Sequence, residues 1–341
     1  MRKSLNIENE SVNMTNDLPI KPTTVNIVAD IGGTNLRIGT VSTSGEVESL
    51  EVYRCADYQG LADIIQHYVS AQNLSGKCLN ACLAIACPAD NDEIKMTNLP
   101  WKFSQSALKS TLQLNTLYMI NDYTAIAHAA PFLNDKQKVK IGAGMTVPQK
   151  PISICGPGTG LGVSNVVFHN QQCITISGEG GHVDFAPTNS TEAAILNFLL
   201  TKYQHVSYEQ LLSGLGIEQI YQAISHIKQQ PVQSYTAAKI SEKAIDRSCD
   251  ICHQTLLQFC KILGAFAGNL SLTFGSFGGV YIAGGIVPRF IEFLQNSEFR
   301  QAFEAKGRFA GFNQKIPTYV ITEEQPGILG AAAYLRQQIS H

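Results

Sequence analysis

A strand, a glycine turn and a returning strand occur twice in this chain, and that repeat limits the possible folds more than any other feature. Residues 25–30 form an apolar run that ends in an acid, break at Gly32-Gly33 and resume over 36–42. Residues 151–155 run into GPGTGLG at 156–162 and resume over 163–168. Each reads as a hairpin, because apolar runs flank residues that turn the backbone at little steric cost. Each also opens a stretch in which strand and helix patterns alternate. Two such openings predict a duplicated α/β architecture. No extended sequence identity links the halves, so the repeat is one of plan.

The remaining pattern fills in both halves. A third strand is expected over 47–53, a helix over 58–72 and a strand over 81–86. Ser104 reads as the N-cap of a short helix reaching Leu112. A strand over 117–120 runs into Asn121-Asp122, and a helix follows to 130. Beyond 190 the chain turns mostly helical, over 191–202, 207–228 and 250–272. A strand over 280–283 ends in Gly284-Gly285, an edge strand is expected over 318–322 and a last helix over 327–338. With 341 residues about two domains are expected. The division predicted is a disordered tail at 1–24, a smaller N-terminal α/β domain at 25–130 and a larger C-terminal one at 131–341.

Charge and cysteine usage exclude several function classes. A formal net charge of -2 gives no basic field for nucleic acid and no polybasic surface for lipid. The nine cysteines are odd in number and several sit in apolar runs, which points to reduced core thiols and a cytoplasmic compartment. Arg2 and Lys3 precede no apolar segment, so the N-terminus does not read as a signal peptide. The apolar runs near 193–200 and 256–274 are interrupted by polar residues or glycine and do not read as membrane spans.

The glycine turns carry the first chemical signal. In Asp30-Ile31-Gly32-Gly33-Thr34-Asn35 an acid ends a strand and two glycines follow. Glycine lets backbone N–H groups approach an anion closely, and Thr34 adds a hydroxyl donor. Asp30 is placed to orient a magnesium ion through water. Gly158-Thr159-Gly160 offers a second nest, and Gly284-Gly285 a third turn after a strand. Any one alone is an ordinary tight turn; three at strand ends point to a shared phosphate site. No lysine follows these loops as a Walker A motif requires. The dinucleotide fingerprint also fails, because Leu161 stands where its last glycine belongs.

Polar residues at the next strand ends leave two readings open. Asp122 reads locally as a helix N-cap, yet an acid at a strand end is also where a general base for a hydroxyl would sit, with Asn121 beside it. SGEGGHVDFAP at 177–187 sets Glu179, His182 and Asp184 among glycines, a composition suited to a polyol and equally to a solvated loop. Glu209 follows Ser207, which reads as an N-cap, so its acid is explained by the helix dipole alone. Cys249-Asp250-Ile251-Cys252-His253 satisfies the C-x-x-C-H haem signature. It lies in a helical pattern with no export signal, which argues against haem or zinc there. The other histidines, His205 among them, show no clustered partner in the sequence.

Taken together the segments resemble a known family, the bacterial glucokinases of the hexokinase–actin superfamily. The resemblance is carried by VADIGGTNLRIG (28–39), AIACPADNDEIKMTNLPWKFS (84–104), MINDYTAIAHA (119–129), GPGTGLGVS (156–164), SGEGGHVDFAP, HVSYEQLLSG (205–214) and FGGVYIAGGIVPRF (277–290). It implies two RNase-H-like α/β domains, as in actin-like ATPases, closing over a cleft, usually in a homodimer. It implies transfer of the ATP γ-phosphoryl group to the 6-hydroxyl of glucose with magnesium, the first step of glycolysis. By position, Asp122 corresponds to the catalytic base, and Asn121, Glu179, His182 and Glu209 to the sugar ligands. Asn98 corresponds to a substrate-side loop residue. Asp30, Gly32, Gly33, Thr34 and Asn35 match the first phosphate loop, Gly158, Thr159 and Gly160 the second, and Gly284 and Gly285 the adenosine-side turn. The chain departs from the related ROK kinases in lacking their C-x-C-G-x-x-G-C zinc motif, so no structural zinc is expected. Rival readings are a kinase for another hexose and a non-catalytic actin-like ATPase or sugar sensor.

Overall fold

The computed structural model describes residues 24–96 and 98–339. The expected tail lies outside them except for Thr24, which opens the first strand. The first half contains β1 (Thr24–Ile31), β2 (Asn35–Val41), β3 (Val47–Arg54), α1 (Leu61–Ala71), β4 (Cys78–Ile85), β5 (Glu93–Lys95), β6 (Lys102–Ser104), α2 (Gln105–Thr111), β7 (Leu114–Asn121) and α3 (Asp122–Ala129). The second begins with β8 (Lys138–Ile141), β9 (Ile152–Pro157), β10 (Leu161–His169) and β11 (Gln172–Gly178). Four helices follow: α4 (Ser190–Leu200), α5 (Gly214–Ile227), α6 (Ala237–Ile245) and α7 (Asp250–Phe274). The chain ends with β12 (Gly279–Ile282), α8 (Ile291–Gln295), α9 (Phe299–Glu304), α10 (Ala310–Gln314), β13 (Thr318–Ile321) and α11 (Pro326–Ile339).

The predicted duplication is present in the sheets. The first is ordered β3-β2-β1-β4-β7, and the second β11-β10-β9-β12-β13 with β8 added outside β13. In each, three antiparallel strands are followed by two parallel ones. The strand at 318–321 is therefore an inner strand rather than the edge expected, since β8 pairs antiparallel along it.

Alternation along the strands sends side chains to two faces. Ile27, Ala29 and Ile31 of β1 join Leu61, Ile64, Ile65 and Tyr68 of α1 in one core, while Val28 faces the other way. There it meets Ala125 of α3 and Ile328, Ala331, Ala332 and Leu335 of α11. The second sheet packs Cys155, Val280, Ile282 and Val320 against α5 and α7. Its opposite face, through Ile152, Ile154 and Tyr281, meets Ala127 and Ala130. Helix α3 thus lies between the two sheets, and α11 returns from the end of the chain onto the first. The pair approach closely because Gly330 leaves no Cβ to meet the Ala125 carbonyl. The chain passes between the sheets at 130–137 and 322–325. These crossings are tied together: Thr322 and Glu323 N–H donate to the Gln137 carbonyl at 2.9 and 3.0 Å, and Gln137 Nε2 donates to Glu323 Oε2 at 2.6 Å.

Several local expectations change. The helix expected over 207–228 begins at Gly214, with Ser213 as N-cap through a bond from Gly216 N–H to its Oγ at 3.1 Å. Ser207 caps nothing. Its segment pairs instead with residues 181–184: Ser207 bridges Asp184, and the N–H groups of Tyr208 and Glu209 donate to the carbonyls of Val183 and Gly181. The first-half helix starts at Leu61 rather than 58. Ser104 caps α2 as expected, its Oγ accepting from Ala107 N–H at 3.1 Å. Helix α7 is the one described helix long and apolar enough to cross a membrane, yet 72% of its apolar window is buried within the protein. In the C-x-x-C-H run Cys249 caps α7, Cys252 is buried in the core and His253 Nδ1 lies 3.0 Å from the Ala244 carbonyl. All nine cysteines are free of disulfides.

Candidate functional site

A cleft of about 970 Å³ opens between the two halves. The end of β7 and the start of α3 form one wall, with Asn121 and Asp122. The second hairpin, Gly158–Gly160, forms the facing wall, and Glu179 and Glu209 lie along it. Asn98 enters from the loop after β5. Eight of the residues singled out in the sequence therefore share one cavity. The others sit around it. Asn98 packs on the first hairpin so tightly that a Cβ at Gly33 would lie 2.7 Å from its own Cβ. His182 Nε2 is 3.7 Å from Glu209 Oε1. Gly284, at φ +84°, lies behind the second hairpin, where a Cβ would strike the Pro157 carbonyl. Gly284 and Gly285 are thus at the back of the second loop and not on the cleft wall.

The local structure at Asp122 differs from an N-cap. Asn121 is the cap, its Oδ1 accepting from Tyr123 N–H at 2.9 Å, and Asp122 is the first helical residue. Asp122 Oδ1 accepts from the same N–H at 2.9 Å. Burial pushes its carboxyl up to about 6, with the nearby Asp30 carboxylate adding to the rise and the Tyr123 N–H opposing it. Burial also raises Asp30, against the pull of the Arg37 guanidinium. The Asp30 carboxylate lies over the first turn of α11, where a Cβ at Gly327 would sit 2.8 Å from Oδ2. A helix N-terminus is a favourable place for negative charge.

Among the described residues, both loops keep two successive N–H groups free. In the first, Gly32 N–H closes the turn on the Asn35 carbonyl at 3.0 Å, and those of Gly33 and Thr34 have no acceptor among the described residues. In the second, Gly158 N–H bonds the Gly160 carbonyl at 2.8 Å, and those of Thr159 and Gly160 are free. Paired free N–H groups in a glycine turn are an anion nest.

Two contacts were not visible in the sequence. Tyr123 reaches from α3 to the root of the second hairpin, its hydroxyl donating to the Gly156 carbonyl at 2.6 Å. Its ring fills the space that a Cβ at Gly156 or Gly162 would need. The glycines at 156 and 162 were the only sequence signal of this approach. Glu209 Oε2 accepts from Leu161 N–H at 2.8 Å, joining the sugar-side segment to the phosphate-side hairpin. Asp184, by contrast, turns away: its Oδ1 pairs with His205 Nε2 at 2.7 Å on the surface, giving that histidine a partner the sequence did not reveal.

Comparisons with known proteins bear on the family and the fold. The sequence model of the family described as Glucokinase matches residues 27–338. A glucokinase of Colwellia psychrerythraea (strain 34H / ATCC BAA-681) is 57% identical over 318 residues, covering 92% of this chain and 96% of that protein. The crystal structure of a glucokinase from an Antarctic psychrotroph superposes with a TM-score of 0.86 at 36% identity, covering 92% of this chain and 99% of that one. A ROK family glucokinase from Streptomyces griseus, solved with glucose and AMPPNP, shares the fold at a TM-score of 0.59 and 17% identity, covering 92% and 99%.

Proposed function

The chain belongs to the glucokinase family, and from that premise we propose how its own residues transfer the ATP γ-phosphoryl group to the 6-hydroxyl of glucose, giving glucose 6-phosphate and ADP. The observation that carries the proposal is Asp122: a half-buried carboxylate with its pKa raised to about 6, lining the same cleft as the Gly158–Gly160 nest. Glucose lies between them, with Asn121, Glu179, His182 and Glu209 taking its hydroxyls and Asn98 closing from the first hairpin. The free N–H groups of Gly33, Thr34, Thr159 and Gly160 receive the phosphates. Gly32 and Asn35 shape the first turn, and Gly284 and Gly285 shape the adenosine side.

As the sugar O6 bonds to the γ-phosphorus and the bridging oxygen departs with ADP, the hydroxyl proton passes to the Asp122 carboxylate. A carboxyl raised to about 6 is ionised at neutral pH yet more basic than an ordinary aspartate, which suits a general base. The rest of the rate comes from positioning and from dipoles aimed at developing charge.

Magnesium, when bound, neutralises phosphate oxygens, and Asp30 is the residue that would hold it. The fit is sound: among the described residues the half-buried Asp30 carboxylate has no hydrogen-bond donor, and no group of three or more metal-binding side chains exists. One carboxylate plus water is a usual donor set for this ion.

Glu179 and His182 are exposed, so the described form is open. Closure of two folding units, 25–130 and 131–341, about the paired crossings at 130–137 and 322–325 would exclude water and suppress ATP hydrolysis. We further assign the enzyme to the cytoplasm, as a homodimer. The test of function is coupled ATP turnover against a panel of hexoses with magnesium. Glucose is expected to give the highest kcat/KM. Activity confined to another hexose would replace the substrate, and hydrolysis indifferent to sugar would replace the reaction.

A further inference from the structure

We propose that Glu209 serves both substrates at once: the carboxylate that receives the sugar also holds the second phosphate loop in its nucleotide-binding shape. The inference rests on Glu209 being a sugar ligand and adds what its second oxygen does.

The two carboxylate oxygens face different ways. Oε1 looks into the sugar side, 3.7 Å from His182 Nε2. Oε2 is taken by Leu161 N–H at 2.8 Å, at the point where the phosphate loop becomes β10. The carboxylate lies flat against the loop, since a Cβ at Gly160 would be 2.5 Å from Oε2. The other end of the loop is tied by the same segment of chain, because Gly214 N–H donates to the Gly158 carbonyl at 2.9 Å. Residues 209–214 thus brace the loop at both ends and leave only Thr159 and Gly160 N–H outward. The brace belongs to the sugar side, because Glu209 N–H and Tyr208 N–H are bonded to the carbonyls of Gly181 and Val183, on either side of His182.

The electrostatics make the coupling directional. A bare carboxylate beside a phosphate nest repels the incoming anion. Sugar hydroxyls donating to Oε1 would disperse that charge and fix the side chain, while Oε2 keeps the loop in shape. Sugar bound first should therefore strengthen nucleotide binding, and linkage makes the effect reciprocal.

The experiment is calorimetric titration of the full chain with magnesium AMPPNP alone, with glucose alone, and with each in the presence of the other. In the unchanged protein glucose should tighten AMPPNP binding about tenfold. Glu209→Ala should weaken AMPPNP binding about tenfold with no sugar present, through loss of the loop's shape, and should abolish the coupling. Glu209→Gln keeps an oxygen for Leu161 N–H and removes the repelling charge, so with no sugar present it should bind AMPPNP at least as tightly as the unchanged protein. Gly160→Ala leaves Glu209 intact but displaces its carboxylate. It should weaken glucose binding about threefold with no nucleotide present, which keeps the test valid should Glu209→Ala not fold. AMPPNP affinity unchanged in Glu209→Ala, or glucose affinity unchanged in a folded Gly160→Ala, would overturn the proposal. Unchanged glucose affinity in Glu209→Ala would instead remove Glu209 from the sugar ligands, and the shared role with it.

Discussion

The two hairpins follow one plan and do different work. In the first, the rung before the turn is Ile31 opposite Leu36, and the next is Asp30 opposite Arg37. In the second, the matching rungs are Pro157 opposite Leu161 and Gly156 opposite Gly162. An acid–base pair in one half is thus a pair of glycines in the other. The first hairpin carries a carboxylate, set against the first turn of α11, which the proposed mechanism uses to hold the cation. The second presents bare backbone, and Tyr123 lies on it. A duplicated fold gives two glycine turns, and on the function proposed above this single rung separates the one that would hold the metal from the one fitted to α3.

That division can be broken from either side. Asp30→Asn removes the carboxylate while keeping shape, and should lower kcat about a hundredfold and raise the magnesium concentration needed for half-maximal rate. A magnesium titration checks it, and an unchanged requirement would place the metal elsewhere. Gly162→Ala forces the Tyr123 ring off its glycine bed. About a tenfold loss of kcat is expected from the shifted helix, with about 1–3 kcal/mol of stability lost to overpacking. The matching change in the first hairpin, Arg37→Ala, meets no such ring and should cost less than threefold in kcat. Equal losses at Gly162 and Arg37 in steady-state kinetics and chemical denaturation would erase the contrast drawn here.

The raised Asp122 carboxyl gives a smaller, pH-dependent effect. Its value is above that of the unfolded chain, so between the two the native state holds more protons and stability falls as pH rises through the window. The cost is fully present above about 6 and gone below about 4. Asp122→Asn should therefore be more stable than the unchanged protein at pH 7.5, by on the order of 2 kcal/mol, and equal to it at low pH. Urea unfolding at several pH values, in buffer without magnesium, reads this directly. A stability difference independent of pH would remove burial of the ionised carboxyl as its cause.

The parts of this molecule that are local were readable from its sequence. Both hairpins, the Ser104 cap and the break after β7 rest on residues adjacent in the chain. What was misread depends on distant partners. Ser207 and Glu209 carry the composition of a helix start, but the N–H groups of Tyr208 and Glu209 go to the carbonyls of Val183 and Gly181, about 25 and 28 residues earlier in the chain. Only the resemblance to a known family placed Glu209 with the sugar, and nothing placed it on Leu161. The pattern of α11 marks an apolar face without saying what covers it, and it covers the first sheet from the far end of the chain. β8 is four residues long and β11 half-exposed, too weakly patterned to stand out.

The account depends most on Asp122 as the proton acceptor across from the Gly158–Gly160 nest. The direct test is to measure, on one preparation of Asp122→Asn, both turnover of glucose with ATP and the affinity for glucose. A loss of about 10²- to 10⁴-fold in kcat with glucose affinity held within a few-fold is predicted, since the amide keeps the shape but cannot take the proton. Turnover within tenfold of the unchanged protein would contradict the account and move the base elsewhere in the cleft.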